Sequence, residues 1–234
     1  MANNSKRNKY VDFVSDEHFL NCVKYVCEGY YDSKLEINEL KKNGLDPFKI
    51  IFDLINREIN FNNWIKNEAN RQEDKSLNNR IGEFHQKLLG GVNGWKDLGT
   101  GDESKLDLIK SNGLIGIELK NKFNTVNSDS LDKVRDKLER FVTTNKKATA
   151  YWAYIIEKDN SSGERIWVKK GRSDNEKIRK IWGSKVYEII TGNKLALKKT
   201  WEALPLVIKD LFSDKIKIST ADMKRLQELF EKAF

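Results

Sequence analysis

Apolar and polar residues alternate on both sides of Asn112-Gly113, with Leu106 and Leu108 before it and Ile115, Ile117 and Leu119 after it. A period of two predicts strands, and Asn-Gly predicts a two-residue turn of type I′, with φ > 0 at both central residues. Such a turn fixes the register and sets Asp107 opposite Glu118, while Lys120 shares the face of Glu118. The other face carries Leu106, Leu108, Ile117 and Leu119, which need a core.

Helical spacing dominates elsewhere. Phe19, Val23 and Val26 predict a helix over 15–31, capped by Ser15 with Asp16 and Glu17 in its first turn. A short helix over 33–44 ends at Gly44. Asp46-Pro47 opens another, whose apolar stripe is Phe48, Ile51, Phe52 and Ile55. One or two helices fill 61–90; the segment 79–89 ends at Gly90-Gly91 and turns Ile81, Phe84 and Leu88 toward a core. Leu131, Val134, Leu138 and Phe141 predict a helix over 130–143. The run 148–156 reads as a central strand, and Ser161-Ser162-Gly163 turns it into another strand over 165–169. Residues 185–190 suit a strand or a helix start. A helix over 195–212 breaks near Pro205. Ser219 or Thr220 caps a last helix bearing Met223, Leu226, Leu229 and Phe230. Residues 1–10 read as disordered.

The pattern predicts an α/β (α+β-like) protein, with a mixed central sheet flanked by helices. The expected division is a helical N-terminal subdomain over 1–80, a core with the hairpin over 81–192, and C-terminal helices over 193–234 packed on that core. No repeat or long linker is visible.

Composition changes this picture little. Of 234 residues, 38% are hydrophobic, 33% are charged and six are Trp, enough for a sizeable core. No apolar run approaches the ~18 residues of a membrane span. The first residues are polar and lack the apolar stretch of a signal peptide. Cys22 and Cys27 read as reduced core thiols, so the expected compartment is the cytoplasm. Charge adds more. The net charge is +8, and all of it falls after residue 80, since residues 1–80 carry 13 basic and 13 acidic side chains. A basic excess in the half that holds the hairpin suits a polyanionic partner.

Two carboxylates facing each other across a strand pair repel. A divalent cation removes that cost, and oxygen ligands without Cys or His suit Mg²⁺. A lysine beside the metal can hold the attacking water or offset charge on a phosphate. The expected chemistry is cleavage of a phosphodiester. Spacing alone carries little weight, because composition supplies such a pattern about once per chain of this length.

The sequence Asp107…Glu118-Leu119-Lys120 resembles the PD-(D/E)XK nuclease core, with Leu106 where that family has Pro. Glu118–Asn127 (ELKNKFNTVN), Gly82–Gly90 (GEFHQKLLG) and Trp95 are similar to type II restriction endonucleases, especially the group that recognises GGNCC- or GGWCC-like sites. The resemblance covers about residues 80–130. It implies Mg²⁺-dependent, sequence-specific hydrolysis of double-stranded DNA by a homodimer. Asp107 and Glu118 then bind metal, Lys120 positions the water, and Glu83, on the helix before the hairpin, assists. His85, on the same helix, reads as a hydrogen-bonded structural residue.

Two stretches are candidate DNA-binding surfaces. Lys122, Asn124, Thr125 and Asn127 follow the second strand, and their amides, hydroxyl and ammonium suit phosphate oxygens or base edges. Residues 165–180 hold seven basic side chains, of which Arg165, Lys169, Lys170, Arg172 and Arg179 are the candidates for backbone or guanine contacts. The alternatives are a repair or junction-resolving nuclease with the same core and a non-catalytic DNA-binding module; intact Asp107, Glu118 and Lys120 argue against the second.

Overall fold

A computed structural model describes residues 8–32, 45–99, 106–125, 128–212 and 218–234. The predicted helix over 33–44 and residue Asn127 lie outside these. Seven helices and six strands are present among the described residues: α1 (Asp16–Asp32), α2 (Pro47–Asn56), α3 (Phe61–Gly90), β1 (Trp95–Asp97), β2 (Leu108–Lys110), β3 (Ile115–Lys122), α4 (Ser128–Thr144), β4 (Thr149–Ile156), β5 (Gly163–Ile166), β6 (Ile178–Trp182), α5 (Ser184–Thr191), α6 (Ala196–Phe212) and α7 (Thr220–Ala233). The chain divides into two compact units, one formed by residues 1–23 with 85–234 and the other by 24–84. No helix among the described residues is long and apolar enough to cross a membrane.

The larger unit holds a mixed sheet in the order β1-β2-β3-β4-β6-β5. β1, β2 and β3 are antiparallel neighbours, β3, β4 and β6 run parallel, and β5 returns antiparallel to β6 at the edge. β4 is the expected central strand. All its residues from Ala150 to Ile155 are buried, which explains its unbroken apolar run. One face carries Ala150, Trp152, Tyr154 and Ile178, which form a core with Val134, Leu138 and Val142 of α4. Helix α5 also packs on β4, β5 and β6.

The register of β2 on β3 matches the expected one: Leu108 pairs with Ile117, and Ile109 with Gly116. The turn differs. Only Gly113 has positive φ, at 71°. Gly113 N–H bonds the Lys110 carbonyl, and the Asn112 side chain accepts Leu114 N–H. Asn112 thus serves the turn through its side chain rather than by a left-handed backbone. Leu106 is a second correction. The chain bends at Asp107, so strand alternation stops there, and Leu106 joins the α4 core on the carboxylate face instead of the opposite one.

Other elements depart in instructive ways. Asp46 caps α2 as expected, accepting Phe48 N–H and Lys49 N–H. Its apolar stripe, however, faces solvent: Phe48, Ile51, Phe52 and Ile55 are all exposed. Ile50 and Leu54 instead pack against Trp64 and Ile65, the small core of the 24–84 unit. One continuous helix spans 61–90, and α6 runs through Pro205, whose neighbours Ala203 and Val207 are buried. That burial offsets the roughly 3 kcal/mol an internal proline costs. Residues 185–190 are helical. β1 and β6 have no counterpart in the reading from sequence, and β5 starts two residues early and pairs with β6, not β4. At the N-terminus residues 8–10 are anchored: Lys9 N–H bonds Asp16, and Tyr10 donates its hydroxyl to Asp210 at 2.6 Å.

Candidate active site

Three strand positions and one helix position meet at the bend. Asp107 N–H bonds the Ile117 carbonyl at 3.0 Å, although Ile117 is already the register partner of Leu108, so the regular pairing ends where the chain bends. Its carboxylate then turns along β3 and accepts Leu119 N–H at 2.6 Å. Lys120 Nζ lies 2.9 Å from Glu118 Oε1 and 3.4 Å from Asp107 Oδ2. The structure therefore brings Asp107, Glu118 and Lys120 together on one face.

Lys137 joins them from α4. Its ammonium donates to both oxygens of Glu118, each at 2.9 Å. The reading from sequence missed it. The available signal was its place beside the inward stripe, three residues after Val134 and one before Leu138. Glu118 is only 2% exposed, so two lysines meet a carboxylate that water barely reaches. A buried charge is tolerated only with such partners.

Burial raises the Asp107 pKa, Glu118 adds to the rise, and Lys120 only partly opposes it. Burial also works against the charged form of Lys120, but Asp107 and Glu118 outweigh it and hold the ammonium above the usual lysine range. Both directions describe a compact buried group in which desolvation disfavours the ionised Asp107 while the carboxylates hold Lys120 charged. Among the described residues no set of three or more His, Cys, Asp or Glu could hold a metal. The donor set is two carboxylates. That suits Mg²⁺, which keeps several waters and takes one or two carboxylates.

Glu83 is exposed and belongs to the 24–84 unit, where the Tyr25 hydroxyl donates to it. His85 Nδ1 lies 2.7 Å from the Tyr187 hydroxyl, a structural pairing as expected.

The candidate DNA-binding residues fall into two sets. Lys122, Asn124 and Thr125 are exposed directly after β3, and Thr125 bonds the Lys122 carbonyl. Arg165 is exposed and stacks over Trp182 at 5.3 Å, while Lys170 is exposed and makes no ion pair among the described residues. The others are already neutralised. Lys169 pairs with Asp132 at 2.7 Å; Arg172 meets Asp132, Asp136 and Glu139 of α4; Arg179 meets Glu164 at 2.5 Å. The densest basic stretch of the sequence is thus partly a brace between the β5–β6 region and α4. Nearby, Lys180 lies over the Trp152 ring at 4.5 Å, where burial lowers its pKa and Arg165 adds to the effect.

The sequence has counterparts among known proteins. A model of the Eco47II restriction endonuclease family matches residues 11–213. The chain is 26% identical over 239 residues to the type II restriction enzyme Sau96I of Staphylococcus aureus, covering 97% of this chain and 90% of that protein. It is 29% identical over 217 residues to the type II restriction enzyme Eco47II of Escherichia coli, covering 88% and 90%. Enzymes of this type in general use divalent metal ions. The match over residues 11–213, in a chain that gathers two acids and two lysines at the bend between β2 and β3 and on α4, places the protein in the Eco47II restriction endonuclease family, as a type II site-specific deoxyribonuclease.

Proposed function

We propose that the protein hydrolyses both strands of DNA at a short GGNCC-like palindrome in a Mg²⁺-dependent reaction, acting as a two-fold homodimer. The observation that carries this reading is the convergence of Asp107, Glu118 and Lys120 within hydrogen-bond reach on one face. Asp107 and Glu118 would hold the metal, which supplies charge stabilisation at the scissile phosphate and a more acidic bound water. Lys120 orients the attacking water and offsets the charge that grows on phosphate oxygens. A palindrome presents the same half-site twice, which a two-fold dimer matches.

DNA contact is assigned first to Lys122, Asn124, Thr125, Arg165 and Lys170, with Asn127 kept as a candidate from the sequence. Lys169, Arg172 and Arg179 serve only to the extent that DNA phosphates replace their present carboxylate partners. The test is digestion of plasmid DNA with Mg²⁺ and with EDTA, followed by sequencing of the ends. Discrete fragments with one shared terminal sequence are expected. A smear, undiminished by EDTA, would refute the proposal.

A further inference from the structure

The reaction as assigned uses one lysine, yet the structure puts two on the same carboxylate. Lys120 and Lys137 divide Glu118 unequally. Lys120 reaches Oε1 alone at 2.9 Å and is shared with Asp107. Lys137 spans both oxygens at 2.9 Å each and has no other hydrogen-bond partner among the described residues. An ionised carboxylate offers about four lone-pair sites. Three are then taken by ammonium protons, which is close to the full set.

We propose that Lys137 is a positioning residue that competes with the divalent cation for Glu118 and so sets how tightly that cation binds. The inference rests on the reading of Glu118 as a metal ligand. Both claimants need the same oxygens, and coordination to Glu118 displaces Lys137 from at least one of them. The Lys137 side chain can leave, because it is 27% exposed and hangs from α4 on a flexible stem, whereas the Glu118 side chain is buried and fixed on β3. Its position on a second element matters too. Val134, Leu138 and Phe141 lock α4 against the sheet, so the ammonium stays within reach of Glu118 whether or not it is bonded. Local concentration is high, and the competition is intramolecular. Lys120 has a different place: it sits between the two carboxylates rather than across one.

The balance has two consequences that a bracing lysine would not produce. Without a cation, Lys137 supplies counter-charge to a carboxylate that water cannot reach. With a cation, the same lysine opposes binding. Loss of Lys137 therefore moves stability and metal affinity in opposite directions. Loss of a lysine that merely braced α4 on β3 would lower stability equally in both conditions and leave affinity alone.

The experiment uses the full chain and Ca²⁺ alone as probe. Affinity is read by isothermal titration calorimetry, and the thermal midpoint is read in EDTA and in saturating Ca²⁺. Lys137→Met is expected to bind Ca²⁺ about tenfold more tightly, the size of one charge-assisted hydrogen bond. Its midpoint falls in EDTA and recovers with Ca²⁺. Lys137→Arg keeps the charge and stays near wild type in affinity. Should Lys137→Met fail to fold in EDTA, Lys137→Gln, which keeps a donor but no charge, gives the same reading in the same direction. Unchanged or weaker Ca²⁺ binding by the neutral variants overturns the proposal, as does an equal loss of midpoint in both conditions. If wild type itself binds no Ca²⁺, the metal-ligand reading of Glu118 fails first, and the two failures are told apart.

Discussion

At the scale of single residues, Lys120 separates a working site from a decorated strand. An exposed strand lysine contributes little, and its loss is nearly silent. Lys120 is not in that position, since Asp107 and Glu118 hold it above the usual lysine range against the effect of burial. Lys120→Ala is expected to reduce single-turnover cleavage by about 10²–10³, the range for a preorganised donor at developing charge. Specific binding in Ca²⁺ should survive, because the contacts to phosphates and bases come from other residues. Gel shift in Ca²⁺ and rapid-quench cleavage in Mg²⁺ on one preparation check both halves. A variant that cuts within about threefold of wild type would return Lys120 to the silent class.

A second residue-scale effect concerns acid stability. Burial lowers the pKa of His85 from 6.5 to about 4, and its ring is paired with Tyr187. The unfolded chain takes up a proton near 6.5 and the folded chain does not until about 4. Stability from this group is complete above 6.5, falls by up to one proton's slope between those values, and changes no further below. His85→Gln should flatten that limb. Urea midpoints at pH 7 and pH 5 show it as a smaller acid-induced loss than in wild type.

At the scale of elements, the hairpin and α4 act as one device. Gly116 shows why. It sits two positions before Glu118 on the same face, and a Cβ there would meet Leu106 Cδ1 at 2.6 Å and the Phe141 ring at 2.8 Å. The glycine lets the bend at Asp107 and the α4 helix close on the strand together. Gly116→Ala should cost about 1–3 kcal/mol by overpacking and should weaken cleavage by moving Asp107 and Lys137 relative to Glu118. Chemical denaturation and cleavage rates measure the pair. A variant with wild-type stability and rate would show that the contact relaxes freely.

This device also marks the limit of what the sequence discloses. Strand spacing and Asn-Gly were enough to set Leu108 on Ile117 and Asp107 beside Glu118, because a one-residue offset would expose the apolar face. Lys137 was not visible in this way. It needed the angle at which α4 crosses β3, which no local pattern contains. β1 and β6 escaped because strands of three and five residues flanked by charges give too little alternation to read. The α2 stripe misled for the opposite reason: amphipathic spacing states which side is apolar, and here only Ile50 and Leu54, beside that stripe, reach the Trp64 core.

At the scale of the whole molecule, the candidate catalytic cluster falls in the unit that contains the sheet. Asp107, Glu118, Lys120 and Lys137 all lie in it, as do the candidate DNA contacts. The basic excess belongs to the same half of the sequence, but Lys169, Arg172 and Arg179 spend theirs on carboxylates of their own unit. Net charge therefore overstates the field offered to DNA, and exposed Lys122, Arg165 and Lys170 supply the part that remains unspent.

The unequal cores of the two units bear on how the native state opens. β4 is hydrogen-bonded on both edges and buried on both faces, whereas α2 has no buried residue of its own and packs through Ile50 and Leu54 on Trp64 and Ile65. Amide hydrogens of α2 should exchange with deuterium through local openings of small free energy, while those of Ala150–Ile155 should exchange only when the whole sheet unfolds. Native-state exchange followed by mass spectrometry would order them: α2 peptides first, β4 peptides last, and the β4 rate alone tracking global stability as urea is added. Equal protection in both segments would mean that the chain opens as a single cooperative body.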